Sequence, residues 1–282
     1  MDRLRVVKGH GTENDFVIVP DFDAALELTP ELVRALCNRH SGIGADGVLR
    51  IVRSENAPES VAISAEAPYF MDYRNADGST AEMCGNGVRV FVRYLQAVGL
   101  VHDYVAVATR GGVKRTWFTY DGDVTVDMGR PRPLADRPVA TAAPSLARVA
   151  GVAIELPNPH VVVTVASVAA LDELDLTRPP TIEPSRPGGQ NVEFVVREAP
   201  RRVRMRVHER GVGETRSCGT GICAAVVAQP DARADGSVWQ VDAPGGACRV
   251  TWNADGTVHL RGPAVLVGEI ELDPTWLDHA AR

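Results

Sequence analysis

The chain has 282 residues, of which 45% are hydrophobic, and carries a formal net charge of -6 with a pI near 5.7. A chain of this length can bury one large core or two ordinary ones. The acidic balance argues against nucleic acid as the main partner, because a phosphate backbone requires a basic surface. No run approaches the roughly 20 apolar residues that a membrane-spanning helix needs, and the first residues lack the apolar core of a signal peptide. We therefore expect a cytoplasmic protein with no membrane partner.

The first elements predicted along the chain are a strand and a short helix. Asn14 and Asp15 precede the apolar run 16–19, which is typical of a buried strand. Thr29 followed by Pro30 is a favourable helix start, and the apolar positions after it predict a helix through Cys37.

The next strong signal is a cysteine that opens a helix. Cys84 begins the sequence Cys-Gly-Asn-Gly, and the apolar residues after it recur at helical spacing until Gly99 supplies a stop. Cys218 begins Cys-Gly-Thr-Gly and also leads into an apolar run, which Pro230 ends early. The free N–H groups and the dipole at a helix start favour a negative charge, so each site favours the thiolate and we expect the pKa of both thiols to be brought toward neutrality.

The remaining segments are mostly strand-like, with β-branched and apolar residues bounded by turn residues. Strands are predicted over Val105–Ala108, Val124–Met128, Val192–Val196, Arg202–Val207, Val238–Val241 and Val258–Leu260. The stretch Gly129–Pro144 is rich in Pro and Ala, and we interpret it as a linker. Of the five cysteines, Cys37, Cys223 and Cys248 lie on apolar stretches and are expected in the core. No metal site is expected, since no cysteines have zinc-ribbon spacing.

The two cysteine segments lie about half the chain apart, and the likeness extends outward from them. Asn75 precedes Cys84 by the same spacing as Glu209 precedes Cys218, and both end strand-like segments. Earlier in each half an asparagine precedes an apolar strand, Asn14 in the first and Asn158 in the second. This order predicts two related halves, each a strand-rich layer around one central helix, with a cleft between them.

Paired thiols favour acid–base work over nucleophilic catalysis. A nucleophilic cysteine needs an oriented histidine base, and His160 provides one candidate for only one of the two thiols. Two thiols of unequal protonation can instead move a proton from one face of a carbon to the other. Polar residues that suit a small zwitterionic substrate are also present, namely Asn14, Asn75, Asn158, Asn191, Glu209 and Arg210. Taken singly, an asparagine beside Gly or Pro is more often a turn former. Glu209 with Arg210 is as typical of an exposed charged pair on a strand, and His160 could equally be a hydrogen-bonded core histidine.

Taken together, the motifs resemble the diaminopimelate epimerase family over essentially the whole chain. The segments that carry the resemblance are His10–Phe16, Asn38–Gly44, Asn75–Ser79, Cys84–Gly87, Asn158–His160, Glu209–Thr215, Cys218–Gly221 and Pro244–Gly246. The resemblance implies a cofactor-independent epimerase that interconverts LL- and meso-diaminopimelate in lysine and peptidoglycan-precursor synthesis. It also implies a homodimer of an α+β protein with two pseudo-symmetric domains, each a barrel-like sheet around a central helix. Residues 1–128, completed by 263–282, would form one domain and residues 129–262 the other, with the active site between them.

By the same resemblance, Cys84 and Cys218 are the two acid–base residues, and His160 and Glu209 support catalysis. Family substrate-binding positions match Asn14, Asn75, Gly85, Asn86, Asn158, Asn191, Glu209, Arg210, Gly219 and Thr220. The chain departs from the family pattern in three places. Gly47 stands where many relatives carry a substrate-contacting Gln, residues 55–68 form a longer surface loop, and Pro230 shortens the second helix.

Three other functions are weighed against this one. A proline-type racemase would use the same paired cysteines but has less need for the asparagines and Arg210 that could bind a distal amino-acid end. A catalytically silent amino-acid-binding relative would not need to keep both Cys84 and Cys218. A thiol hydrolase or redox protein is disfavoured by the missing second base and by the cysteine spacing.

Overall fold

The computed structural model describes residues 4–142 and 146–280, which fall into two compact units. The first unit comprises Met1–Val126 with Pro263–Arg282, and the second comprises Asp127–Gly262. The strands are β1 (Arg5–Gly11), β2 (Asn14–Pro20), β3 (Gly47–Arg53), β4 (Tyr69–Asn75), β5 (Tyr104–Ala108), β6 (Lys114–Phe118), β7 (Val124–Asp127), β8 (Arg132–Pro133), β9 (Val139–Ala142), β10 (Leu146–Ala150), β11 (Val152–Leu156), β12 (Asn158–Thr164), β13 (Thr181–Glu183), β14 (Asn191–Ala199), β15 (Arg202–Glu209), β16 (Gly213–Thr215), β17 (Val238–Ala243), β18 (Gly246–Trp252), β19 (Val258–Gly262) and β20 (Val265–Glu271). The helices are α1 (Pro30–Cys37), α2 (Gly85–Ala97), α3 (Val168–Asp172), α4 (Gly219–Val227) and α5 (Pro274–Ala280).

The two units repeat one pattern of strand pairing. In the first unit the strands pair in the order β20, β1, β2, β3, β4, β5, β6, β7, with β2–β3 and β4–β5 parallel and the other pairs antiparallel. In the second unit the order is β8, β11, β12, β14, β15, β17, β18, β19, with β12–β14 and β15–β17 parallel. The same alternation of parallel and antiparallel pairs confirms the two pseudo-symmetric, strand-rich halves that the repeated motifs predict.

Each unit surrounds one central helix with its own strands. Helix α2 packs against β1, β2, β3, β4, β6 and β20, and helix α4 packs against β11, β12, β14, β15, β17, β18 and β19. All nine residues of α4 are buried, so the helix is apolar on every side. The start of each helix is therefore fixed by the packing of the helix body, and this positions the cysteine that precedes it.

The predicted helix boundaries agree with the structure. Thr29 caps α1 by accepting a hydrogen bond from the backbone N–H of Leu32, at 3.2 Å. Helix α2 ends at Ala97, and Gly99 adopts φ +75°, the left-handed conformation that ends helices. Helix α4 ends at Val227, ahead of Pro230. The predicted strands are also present, and Cys37, Cys223 and Cys248 are buried as expected.

One segment differs from its prediction. The stretch Gly129–Pro144 is not a linker, because β8 pairs with β11 and β9 pairs with β10 and β13. Its alanines, Ala140 and Ala142, are buried in a core cluster of the second unit, where their small side chains fit. Residues 143 and 144 of the predicted linker lie outside the described residues. The segment 55–68 is mostly exposed, as expected of a surface loop, and it contains two short 3₁₀ turns anchored by the buried Ala57 and Ala67.

Within the part of the chain that the structure describes, no helix is both long enough and apolar enough to cross a membrane.

A buried carboxylate fixes the end of β4, the strand that carries Asn75. Asp72 is 2% exposed and accepts hydrogen bonds from Arg74 at 2.7 Å and from Arg110 at 2.8 Å, with Arg50 at 3.6 Å. Burial raises the pKa of Asp72, but the hydrogen bonds from Arg74 and Arg110 outweigh it and hold the pKa below its usual value. The cluster ties β4 to β3 and to the turn after β5.

We expect Asp72→Asn to lower the free energy of unfolding by about 3 kcal/mol at pH 7, because it leaves buried guanidinium groups unneutralised. A carboxyl whose pKa is lowered by folding stabilises the protein above its unfolded pKa of about 3.9, so the difference persists from pH 7 to 5 and shrinks only below about pH 4. Urea unfolding of both proteins at each pH measures this difference in the free energy of unfolding. Asp23→Asn is the matched control, since Asp23 is 76% exposed in its pair with Arg53, and it should change stability by less than about 0.5 kcal/mol. Equal stability of Asp72→Asn and wild type would contradict this role.

Candidate active site

In the first unit, Cys84 lies where the start of β2 meets the start of α2. Cys84 is the N-cap of α2, and its sulfur accepts a hydrogen bond from the backbone N–H of Gly87 at 3.4 Å. The sulfur also lies 3.6 Å from Oδ1 of Asn14, and the amide of Asn86 donates to the same oxygen at 3.3 Å. The structure therefore brings together three of the predicted site residues, Cys84, Asn14 and Asn86.

The orientation of Asn14 depends on a tight turn and on an aspartate. Thr12 and Glu13 both have positive φ, 51° and 60°, as in the two-residue turns that join antiparallel strands, and Asn14 follows directly. Nδ2 of Asn14 donates to Asp46 at 2.8 Å, which turns Oδ1 towards Cys84. Asp46 is a functional candidate that the sequence analysis missed. Its position just before β3, in the glycine-flanked segment 44–47, is the signal that could have found it.

Asp46 belongs to a small charge cluster. Arg39 donates to Asp46 at 2.8 Å and to Asp15 at 2.7 Å, and Lys8 also pairs with Asp15. Burial raises the pKa of Asp46, although the hydrogen bond from Asn14 opposes the rise and the charge of Asp15 adds to it. The pKa of Asp15 is about 2, because hydrogen bonds from Arg39 and Lys8 outweigh the effect of its burial.

Asn75 ends β4 opposite Gly47 of β3. Its side chain donates to the hydroxyl of Ser79 at 3.0 Å, and its backbone N–H donates to the carbonyl of Ser79 at 2.9 Å. In this structure Asn75 therefore closes a turn.

In the second unit, four predicted site residues meet at Cys218. Cys218 is the N-cap of α4, and its sulfur lies 3.4 Å from the hydroxyl of Thr220 and 3.9 Å from Nδ2 of Asn191. Glu209, the last residue of β15, also hydrogen-bonds Cys218. The backbone N–H of Arg210 donates to Oδ1 of Asn191 at 2.9 Å, which orients the asparagine amide with Nδ2 towards the sulfur.

The expectation of a thiolate at each helix start is wrong for Cys218. Burial raises the pKa of Cys218 well above its ordinary value, and the charges of Glu209 and Glu193 raise it further. The Thr220 hydroxyl and the Gly221 N–H favour the thiolate, but they are outweighed. Burial also raises the pKa of Glu209. Cys218 is therefore a protonated thiol at neutral pH, a form suited to donating a proton.

His160 is held between two oxygen atoms on β12 and β14. Its Nδ1 lies 2.7 Å from Oε1 of Glu193, and its Nε2 lies 3.0 Å from Oδ1 of Asn158. The side chains of His160 and Glu193 are both 0% exposed. Glu193 was not predicted from the sequence, where it reads as one residue of an apolar strand. The sequence signal that could have identified it is a single acidic residue inside the apolar strand Val192–Val196, where a buried position is expected.

Arg210 is exposed, and its guanidinium donates to the carbonyl of Gly188 at 3.2 Å. It is one of the residues that line a cavity of about 260 Å³ in the second unit, together with Arg186, His208 and Val192. Side chains alternate along a strand, so Val192 and His208 point away from the face that carries Asn191 and Glu209. This cavity is therefore on the other face of the sheet from Cys218.

The remaining predicted residues contribute backbone groups. Gly85 and Asn86 begin α2, and Gly219 and Thr220 begin α4. The first N–H groups of a helix lack partners within it and can bind a carboxylate. Among the described residues, no group of three or more His, Cys, Asp or Glu side chains is placed to hold a metal ion.

Comparison with solved structures finds the same fold in proteins of low sequence identity. The chain is similar to a phenazine biosynthesis protein of the PhzF family from Bacillus anthracis, with a TM-score of 0.68 and 15% identity over 97% of this chain and 100% of that one. It is also similar to a probable proline racemase from Agrobacterium radiobacter, with a TM-score of 0.67 and 16% identity over 97% and 95% of the two chains. At these identities the likeness concerns the fold.

Sequence comparison is more specific. The family model for diaminopimelate epimerase matches residues 6–134 and 152–267. The diaminopimelate epimerase of Streptomyces coelicolor is 52% identical over 98% of both chains, and that of Thermobifida fusca is 48% identical over 94% of this chain and 97% of the relative. A match over most of both chains at such identity establishes the family. The chain therefore belongs to the diaminopimelate epimerase family, a family of amino-acid epimerases.

Proposed function

We propose that this protein interconverts LL- and meso-diaminopimelate, without a cofactor, by proton transfer between two cysteines and the substrate α-carbon. The observation that carries the proposal is the repeated placement of a cysteine at the start of the central helix of each unit, beside asparagine side chains. The identity of 44–52% to relatives named diaminopimelate epimerase supports the choice of substrate.

In the proposed reaction, one cysteine acts as base and the other as acid. A thiolate takes the α-hydrogen as a proton, so an S–H bond forms, the C–H bond breaks, and the electron pair remains on the carbon, delocalised into the α-carboxylate. The second thiol then donates its proton to the opposite face of the carbon and becomes a thiolate. The raised pKa of Cys218 supports a resting state in which Cys218 is the acid and Cys84 the base.

The helix starts have a second part in this proposal. The N–H groups of Gly85–Asn86 and Gly219–Thr220 would bind the α-carboxylate and stabilise the negative charge that builds on it as the proton leaves. Asn14, Asn75, Asn158, Asn191 and Arg210 would bind the ammonium and distal groups, while His160 and Glu209 would support the proton transfer.

We also propose, on family grounds, that the protein works in lysine and peptidoglycan-precursor synthesis, in the cytoplasm and as a homodimer. Size-exclusion chromatography with light scattering tests the assembly, and a single-chain mass at working concentration would reject it.

The function is tested by incubating the purified protein with LL-diaminopimelate in D₂O. We expect deuterium at the α-carbon and formation of the meso isomer, followed by NMR and chiral chromatography. Parallel incubations with L-proline should show no exchange. Exchange with proline alone would favour a proline-type racemase, and no exchange with either compound would reject the epimerase function.

The roles of the cysteines are tested by Cys84→Ser and Cys218→Ser. Serine keeps a side-chain oxygen at the helix cap but holds its proton far too tightly for this work, so we expect each variant to lose at least about 100-fold in kcat/KM. Cys223→Ser is the matched control, the same change at a buried position of α4, and it should keep near-wild-type activity. Normal turnover in either site variant would contradict the two-cysteine mechanism.

The protonation of Cys218 is tested by alkylation in the free enzyme. Because the charge of Glu209 raises the pKa of Cys218, we expect Glu209→Gln to speed iodoacetamide modification of Cys218 several-fold at pH 8 while turnover falls. In the wild type the modification rate should keep rising to pH 9 and above. Mass spectrometry of the Cys218 peptide measures the rate, with Glu214→Gln as control. A wild-type rate already at its plateau at pH 7 would show that Cys218 is a thiolate.

A further inference from the structure

The repeat allows each residue of the second site to be compared with its counterpart in the first unit. On the parallel strands β2 and β3, Phe16 stands opposite Gly47, and on the corresponding strands β12 and β14, His160 stands opposite Asn191. The counterpart of His160 is therefore Phe16, which is fully buried.

The same register assigns a counterpart to Glu193. Leu49 lies two residues beyond Gly47 on β3, as Glu193 lies two residues beyond Asn191 on β14. The contacts agree with this match. A Cβ on Gly87 of α2 would lie 3.1 Å from Leu49, and a Cβ on Gly221 of α4 would lie 2.6 Å from Oε1 of Glu193.

The first unit thus fills this place with two hydrocarbon side chains, and the second fills it with a histidine and a carboxylate. Removing a carboxylate and an imidazole from water costs several kcal/mol unless they are well paired. One oxygen of Glu193, Oε2, is buried with no hydrogen-bond partner among the described residues. The fold does not need this pair, since the first unit forms the same layer with Phe16 and Leu49. The histidine and the carboxylate are therefore explained by a role at the site and not by the needs of the fold.

The geometry indicates the role of the His160 and Glu193 pair. A carboxylate can only accept at Nδ1, so its contact of 2.7 Å with His160 fixes a hydrogen on that nitrogen. The ring is then held with Nε2 3.0 Å from the side-chain amide of Asn158. With hydrogen on Nδ1, Nε2 accepts, so the amide of Asn158 donates to it through its N–H once the amide is rotated by half a turn. Asn158 is a substrate-binding residue in the proposed function.

We propose that Glu193 is a positioning residue: its carboxylate holds the His160 ring with hydrogen on Nδ1 and so directs Nε2 at Asn158. This inference rests on the proposed function and adds a residue to its site. The titratable groups whose charges act on the pair or respond to it are Glu209 and Cys218. Glu193 adds to the negative charge that keeps Cys218 protonated, so it also supports the proposed acid.

Two variants test the proposal. Glu193→Gln keeps the shape of the side chain but removes its charge. The double variant His160→Phe with Glu193→Leu copies the Phe16 and Leu49 pair of the first unit, so it should fold even if a single Glu193→Leu change does not. We expect Glu193→Gln to lower kcat by about 10-fold with little change in KM, and the double variant to lower it by about 100-fold or more.

Two further readouts separate positioning from a merely structural role. ¹⁵N NMR of the His160 ring should show a hydrogen on Nδ1 in the wild type and a mixed population in Glu193→Gln, with the signals assigned from a His160→Gln sample. The pH profile of Cys218 alkylation should move to lower pH in Glu193→Gln. Unchanged ring signals, alkylation profile and kcat in that variant would overturn the proposal.

The two proposals fail in different ways. No deuterium exchange by the wild type would reject the epimerase function, whereas the ring NMR and the alkylation profile would still decide how Glu193 acts on His160 and Cys218. Normal exchange by the wild type, with Glu193→Gln indistinguishable from it in every readout, would reject the positioning role alone.

Discussion

The site of each unit depends on a cysteine fixed at the first turn of a buried helix. A helix start offers backbone N–H groups that its own residues leave unpaired, and a thiol at the N-cap lies beside them. What holds Cys84 and Cys218 in place is the packing of α2 and α4, each surrounded by the strands of its own unit. The glycine three residues after each cysteine lets the helix approach the strand side chain that faces it, as Gly221 does where it passes Glu193. Precise placement of a reactive atom is thus achieved with ordinary core packing.

The two units share this frame, yet they surround the sulfur differently. Beside Cys84 lies the side chain of Asn14, which is itself hydrogen-bonded by Asn86 and by Asp46. Around Cys218 the charges of two carboxylates, Glu209 and Glu193, act on the thiol. Placing anions beside a buried thiol makes its ionisation costly, so the helix start alone does not set the protonation state. In the proposed reaction the two cysteines begin with unequal protonation, and two halves of the same fold can provide that difference through a few side chains.

Much of this could be predicted from the sequence, because its signals are local. Periodicity and capping residues located α1, α2 and α4, and repeated spacing located both cysteines and the asparagines near them. The errors have physical causes. Small residues in Gly129–Pro144 suit a buried strand as well as a linker. Only the pairing of β8 with β11, and of β9 with β10 and β13, decides between the two. The protonation of Cys218 depends on Glu209 and Glu193, whose closeness to the sulfur arises from strand register.

Asp46 and Glu193 escaped prediction for the same reason, and the reason bears on how such sites are to be read. Neither carboxylate belongs to a motif that carries chemistry by itself; each acts through a neighbour, Asp46 through Asn14 and Glu193 through His160. A residue of this kind is recognised by its environment: Glu193 is an acidic side chain buried where solvation would favour exposure, and Asp46 is a partly buried one that hydrogen-bonds Asn14. In a duplicated fold the second copy supplies the comparison that a single site lacks. Where one unit buries Leu49 and the other buries Glu193 at the same place against the central helix, the hydrocarbon shows what the fold requires and the carboxylate shows what the site adds.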